Sequence, residues 1–439
     1  MSPRINRIAS DETLPKAVDV VVVGGGIIGT CTAWFLAKRG LSVALLEKGY
    51  LGCEQSSRTW GWCRQQNRDR REMPLSILAM QAWDSFSEEI GKDVGFRRTG
   101  LVYTTDDAPM LAGWEAWRPI AKEFGVETRM LTASEAVGLI PETRRKWIGG
   151  LHAARDGRGD PEIAVPTIAE GARALGATIH QNCAARGLDI ANGRVVGVET
   201  ERGLIRCQAV VCAGGAWASR FVRPHGVVFP QASVRQTALR TAPMENLGEV
   251  LYCPDFAMTR RTDGSYTVAI SGKATLEITP KGIRFFPLFL PQFIQRLKAV
   301  QLTVGKSFFT GPDSLSAMLT NDPLIFERNR VLDPAPNQRL IDAMTRNVRE
   351  TWPDQTFTID HAWGAYVDCT PDAVPVISEV DSIGGLVIAA GSSGHGFGLG
   401  PGIAQLAVEL AMNDPTSVDA SPFSLNRFAN GAAIEVGPI

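Results

Sequence analysis

The sequence has almost no charge imbalance: 45 lysines and arginines stand against 46 aspartates and glutamates, a formal net charge of −1. Proteins that bind nucleic acid usually carry a basic excess, so the balance argues against that class. No cysteines are spaced C-x-x-C: Cys31, Cys53, Cys63, Cys183, Cys207, Cys212, Cys253 and Cys369 offer neither a zinc motif nor a redox pair. No metal site is expected, and the thiols should be reduced and mostly buried. No stretch approaches a membrane-spanning run. The opening MSPRINRIASDETLPKA has no apolar core of a secretory signal. These absences lead to the expectation of a cytoplasmic protein. Internal repeats and low-complexity tracts are lacking too. What remains is a chain of 439 residues, 44% hydrophobic, too long for one ordinary core, so two domains are expected.

The first ordered stretch is VDVVVVGGGIIGTCTAWFLAKRGLSVALLEKG, residues 18 to 49. A continuous β-branched run suits a strand buried on both faces. Helix formers follow to Gly40, a good C-cap, and then a second buried strand. The turn between strand and helix holds Gly24, Gly26 and Gly29 as G-x-G-x-x-G. The first glycine permits the tight turn, the second lets backbone approach a pyrophosphate, and the third lets helix and strand pack closely. The helix N-terminus presents free N–H groups to the phosphates. Glu47 stands 18 residues after Gly29, at the end of the second strand, where a carboxylate accepts hydrogen bonds from an adenosine ribose and repels a 2′-phosphate. This is a dinucleotide site, and NADP does not suit it.

Residues 56 to 72, SSRTWGWCRQQNRDRRE, set Arg58, Arg64, Arg68, Arg70 and Arg71 among Trp60 and Trp62. Such a stretch could grip single-stranded nucleic acid by stacking, line a pocket for a small anion, or be a solvated turn. Further on, helix is expected near 71–90, 108–124 and 161–175, and β-hairpins around the Asn192-Gly193 turn. LFLPQFIQRLKAV, 288 to 300, reads as an amphipathic helix with Phe289, Phe293, Leu297 and Val300 on one face. It could rest on a membrane surface, but packing against its own domain is preferred. GLVIAAGSSGHGFGLGPGIAQLAVELAM, 385 to 412, repeats the strand, glycine loop and helix of the N-terminus.

The N-terminal motif, VVCAGGAW at 210–217, TPDAVPVI at 370–377, GSSGHGFGLGPG at 391–402 and SPFSLNRF at 421–428 occur in that order. Together they resemble the D-amino-acid-oxidase-like superfamily of FAD-dependent amine and amino-acid oxidoreductases, of the sarcosine oxidase and glycine oxidase type. The resemblance covers about residues 18 to 428. It implies an α/β fold, α+β overall. Residues 1–95, 150–222 and 355–439 would form a discontinuous Rossmann-like FAD-binding domain, and 96–149 and 223–354 a mixed-sheet substrate domain. No second complete glycine fingerprint follows a strand, so FAD is expected to be the only dinucleotide.

The resemblance also implies the site. Gly24, Gly26, Ile27, Ile28, Gly29, Glu47, Lys48, Ser56, Ser57, Arg58, Ala185, Ala213, Gly214, Gly215 and Trp217 would serve the cofactor, with Gly394, His395, Gly396, Phe397 and Gly398 of the C-terminal loop. Arg64 would face the substrate, where relatives place a carboxylate-binding arginine, while Arg68, Arg70 and Arg71 would be surface charges. Three departures stand out. Relatives of the glycine-oxidase type carry an arginine where this chain has Val367. Monomeric sarcosine-oxidase-like relatives carry a lysine where it has Gly398, and a flavin-linking cysteine where it has Ala365. FAD is therefore expected to be noncovalent, with Cys53 and Cys63 near enough to keep the point open. Asp368 could hold a cationic nitrogen, and Trp60, Trp62, Trp363 and Tyr366 could offer aromatic faces to an alkylammonium group. Arg64, Asp368 and His395 are the catalytic candidates.

The implied reaction is oxidation of the C–N bond of a secondary or N-substituted amine or amino acid by hydride transfer to flavin N5, giving an imine that hydrolyses. Oxygen or another electron acceptor would complete the cycle. The alternatives are a 2-hydroxy-acid dehydrogenase and, in a different class, a nucleic-acid-binding protein acting through residues 58–71.

Overall fold

The computed structural model describes residues 2–429 and 433–437. Val20–Val23 forms the centre of a six-stranded sheet. It pairs in parallel with Val43–Leu46 on one side and Ala209–Cys212 on the other. Thr178–His180 extends one edge; Leu386–Ala390 and then the antiparallel Val376–Glu379 extend the other. The valine run has no polar alternation because both faces are covered. Val20 and Val22 pack under the helices Ile27–Lys38, Met73–Ile90, Pro161–Ala174 and Gly396–Ala411. Val21 and Val23 face a core shared with the three-stranded sheet 185–206 and residues 217–229.

The second large sheet has ten strands. Its axis is the long strand Ala232–Thr241, which pairs antiparallel with Ile359–Cys369 from Ala232↔Cys369 to Thr241↔Ile359. The helix Gln338–Thr351 covers one face with Ile341, Met344 and Val348. This sheet also takes the strands Gly149–Ala153 and Ile359–Cys369, which come from segments expected in the cofactor domain. Ile359–Cys369 then runs directly into the TPD turn and the first sheet, so one strand carries the chain from one sheet to the other.

The helix expected over 288–300 spans Pro280–Gln295 instead. Thr279 caps its start, its side chain accepting from the Gly282 N–H at 3.1 Å, and Pro280 stands at the first helical position where no N–H is needed. Its buried side carries Phe285, Phe289 and Gln292; Leu297 is exposed, and Val300 begins a strand. Among the described residues no helix is long and apolar enough to cross a membrane. All eight cysteines are buried free thiols.

Candidate active site

The glycine turn is shaped as its spacing requires. Gly24 has φ +109°, and a Cβ there would lie 2.4 Å from the Ala213 carbonyl oxygen. A Cβ on Gly29 would lie 1.8 Å from the Gly24 oxygen, so the helix can sit this close to the turn only with glycine. Glu47 closes the turn: its carboxylate accepts the Gly25 N–H at 2.8 Å and the Gly49 N–H at 2.7 Å. Burial raises its pKa, against the pull of Lys48 and these two N–H groups. Lys48 pairs with Glu54 at 2.6 Å, and Glu54 also accepts from Trp217 Nε1 at 3.2 Å.

A cavity of about 310 Å³ runs from this turn to the C-terminal glycine loop and on into a chamber under the second sheet. Of the residues expected at the site, all but Gly29, Ser57 and Trp363 border it. Gly29 acts from behind, through packing. Ser57 points away and donates to the Glu54 carbonyl at 3.3 Å, whereas Ser56 Oγ accepts the Ile27 N–H at 2.9 Å, at the mouth of the first helix. Two helices, Ile27–Lys38 and Gly396–Ala411, open their N-termini onto the same cavity. They supply two positive dipole ends to an elongated anionic dinucleotide. The cradle fits such a group: its turn faces the cavity through Gly24, Gly25 and Gly26, which put backbone and no side chain against it.

Several expected roles change. The Arg58 guanidinium is buried and engaged by protein groups: it donates to Asp333 at 3.0 Å, to the Gly364 carbonyl at 2.7 Å and to Ser2 Oγ at 3.0 Å. It staples loops beside the cavity. Trp363 does not border the cavity; its indole packs with Trp60, Ala238 and Ala269, and Nε1 donates to the Arg58 carbonyl at 3.1 Å. Tyr366 borders the cavity, and its hydroxyl donates to Glu277 at 2.7 Å. Asp368 accepts the Gly391 N–H at 2.7 Å and the Gln231 amide at 3.0 Å, so its carboxylate ties the strand to the glycine loop. Burial raises the Asp368 pKa to about 6.

Arg68 is the main residue that the sequence misplaced. Arg70 is an exposed partner of Glu123, and Arg71 pairs with Asp69, but Arg68 is only 3% exposed and borders the chamber. Its Nε donates to the Arg64 carbonyl at 3.3 Å, and Nη1 has no partner among the described residues. Burial, reinforced by the neighbouring Arg64 charge, lowers its pKa to about 10. Arg64 donates to the Gln66 carbonyl and lies 5.8 Å over the Trp62 ring. Buried Asp156 shapes this loop by accepting the N–H groups of Gln65 and Gln66.

Around these cations stands an aromatic wall. Trp62 meets Trp60, Tyr103 and Tyr252 at ring distances of 5.4, 6.2 and 6.1 Å, and Trp114 lies 5.6 Å from Tyr103. The Tyr103 hydroxyl is buried without a partner among the described residues. His395 borders the cavity too. Its Nδ1 lies 3.4 Å from buried Glu72, its Nε2 has no partner among the described residues, and burial together with the Arg68 charge lowers its pKa to about 4. It is a neutral imidazole at neutral pH. No signal near Tyr103, Trp114 or Tyr252 in the sequence marks them as chamber walls.

A dinucleotide cradle joined to a cationic, aromatic chamber is the plan of a dinucleotide-dependent oxidoreductase. The family model of FAD dependent oxidoreductases, DAO, matches residues 19–410, so the chain belongs to that family and its cofactor is FAD. Human mitochondrial sarcosine dehydrogenase is 26% identical over 423 residues, covering 94% of this chain and 42% of that protein. The chain thus spans less than half the length of that relative. Glycine oxidase of Geobacillus kaustophilus is 25% identical over 438 residues, 95% of this chain and 99% of that one. L-Amino acid deaminase from Proteus myxofaciens, solved in complex with anthranilate, superposes with a TM-score of 0.91 at 28% identity, covering 98% and 97% of the two chains. Among the described residues no cluster of side chains could hold a metal ion.

Proposed function

We propose that this chain oxidises the C–N bond of an amino acid, primary or N-alkylated, whose carboxylate is held by Arg68 and Arg64. The observation that carries this reading is the unpartnered, buried Nη1 of Arg68 in a chamber continuous with the FAD cradle. A buried guanidinium with a free donor is costly unless an anion completes it. The sarcosine dehydrogenase, glycine oxidase and L-amino acid deaminase relatives support an amino-acid substrate.

Bound FAD supplies a two-electron acceptor; the protein supplies binding, orientation and exclusion of water. Arg64 and Arg68 fix the carboxylate end. The aromatic wall takes an apolar side chain or N-alkyl group and keeps water from the reacting carbon. His395, neutral, offers Nε2 as an acceptor next to the glycine loop, and the helix beginning at Gly396 would offer its N-terminal N–H groups to the negative charge of a reduced flavin. The substrate gives up a hydride and an N–H proton and leaves as an imine, which water hydrolyses to a carbonyl compound and ammonia, or an amine where the substrate is N-alkylated. The Cys53 thiol on the cavity keeps its proton because burial raises its pKa well above the usual thiol range, which disfavours a thioether link to bound FAD.

The test is to follow the visible flavin band anaerobically while adding plain amino acids, N-alkyl amino acids, simple amines and 2-hydroxy acids. Bleaching by amino acids and not by amines lacking a carboxylate supports the reading. Bleaching by 2-hydroxy acids alone replaces it with the runner-up, which the same arginines would serve. Admitting air then separates an oxidase from a dehydrogenase that needs another acceptor.

A further inference from the structure

The helix Pro280–Gln295 is apolar on two sides. One side is internal: Phe285 and Phe289 pack on Val367 and Cys369. The other faces outward. Ile283, Phe286, Leu290, Ile294 and, just past its end, Leu297 are spaced three, four, four and three apart, one helical stripe, and all are exposed, Ile294 at 65%. The segment that follows adds Val304, Phe309 and Leu319, the last at 75%. Large side chains exposed singly need no explanation, but a contiguous stripe marks an interaction surface.

Charge selects the occupant. From residue 278 to 312 the chain carries Lys281, Arg284, Arg296, Lys298 and Lys306 and no acidic residue. The flanking acids are taken: Asp313 pairs with Lys281 at 2.5 Å in a buried bond, and Glu277 accepts from the Tyr366 hydroxyl and faces Arg235. Arg284 and Lys306 are exposed. Arg223 donates to the carbonyls of Met318 and Thr320, and burial first and then the Arg284 charge lower its pKa. Lys281 is spent on Asp313 and Arg296 donates to the Gly437 carbonyl, so the apolar stripe is rimmed by two exposed cations, Arg284 and Lys306. A second copy of the chain would bring this rim against itself, as a two-fold interface sets a patch on its own image. An anionic bilayer complements both features, burying the stripe at the headgroup boundary while the cations meet lipid phosphates.

We propose that the face formed by Pro280–Gln295 and the segment after it docks peripherally on an anionic lipid membrane. The experiment is flotation of the purified, FAD-loaded full chain with vesicles of phosphatidylcholine alone or with about one third phosphatidylglycerol. The expected result is roughly tenfold more protein floating with the anionic vesicles, falling as salt rises. Leu290→Asp with Ile294→Asp should reduce that fraction roughly tenfold or more. Arg284→Glu with Lys306→Glu should reduce it roughly fivefold per removed cation, and should fold even if the first pair does not, because both side chains are solvated. An intact visible flavin band reports folding of each variant. No flotation on either vesicle overturns the proposal. So does flotation that neither pair alters, or a native dimer that the apolar pair converts to monomer, which would assign the face to a second copy.

Discussion

Arg68 donates its Nε–H to the carbonyl oxygen of Arg64 at 3.3 Å, which sets two guanidinium groups in one chamber. The inner one is buried and incompletely paired, so the binding of an anion is concentrated on it. Arg68→Met should raise KM for a carboxylate substrate roughly 100-fold or more, as removal of one partner of a buried charge pair costs about 2–5 kcal/mol. Tm should hold or rise, because a desolvated cation is removed with little change in volume. Arg64→Ala should raise KM less. An unchanged KM in Arg68→Met would remove it from substrate binding, and a fall in Tm with unchanged KM would make it a structural residue.

Gly398 explains why no lysine stands there. A Cβ at this position would lie 2.6 Å from the Trp62 carbonyl oxygen and 3.1 Å from Cys63 Cα. Any side chain would force the Trp62–Cys63 backbone or the helix to shift. Gly398→Ala should cost about 1–3 kcal/mol, read as a lower Tm and weaker retention of FAD. Gly113→Ala is the control: nothing lies within 4 Å of its Cβ, so helix propensity alone should leave stability equal or higher by up to about 1 kcal/mol. Equal Tm values for the two variants would mean that the loop yields.

The cradle was legible because its parts are local: Gly24, Gly29 and Glu47 lie within one strand–helix–strand unit, and each is demanded by backbone geometry. The chamber was legible only in part: Trp60, Trp62, Arg64, Tyr366 and His395 stand in the motifs, whereas Tyr103, Trp114 and Tyr252 converge on it from separate places in the chain. Arg68 sits in a polar run that reads as solvated. Its burial is tertiary, and it shows in Trp117, whose Nε1 donates to the Arg68 carbonyl at 3.0 Å. The helix Pro280–Gln295 was placed too late and its buried face misjudged. Pro287 and Pro291 interrupt the pattern that would mark its full length, and with apolar residues on two sides the sequence alone does not say which is covered.

Asp368 ties the strand Ile359–Cys369 to the glycine loop at an electrostatic cost. Its carboxyl has a pKa of about 6 in the fold against an ordinary 3.8, chiefly through burial. A raised carboxyl binds more protons folded than unfolded. Its stabilising contribution is therefore fully present below about 4 and is lost as pH rises through about 6. Two pKa units correspond to roughly 3 kcal/mol. Asp368→Asn keeps an oxygen for the Gly391 N–H and removes the titration. Its stability relative to the parent should therefore rise between pH 4 and 6.5. Urea denaturation midpoints at several pH values measure this; parallel curves would show that the carboxyl titrates normally.

His395 responds to pH in the opposite sense. Burial first, and then the Arg68 charge, lower its pKa to about 4 from an ordinary 6.5, while Glu72 opposes them. The unfolded chain takes up a proton that the folded one refuses between these values. The stability this provides is fully present above about 6.5 and is lost as pH falls through about 4. His395→Asn should flatten that acid limb, so parent and variant should diverge most near neutrality and converge near pH 4. Arg68→Met should do part of the same, since it removes the second cause of the shift without touching the imidazole, and the pKa of His395 should move back up. If His395→Asn runs parallel to the parent from pH 4 to 6.5, His395 is not held neutral by its surroundings, and its Nε2 is not the free acceptor that the proposed reaction uses.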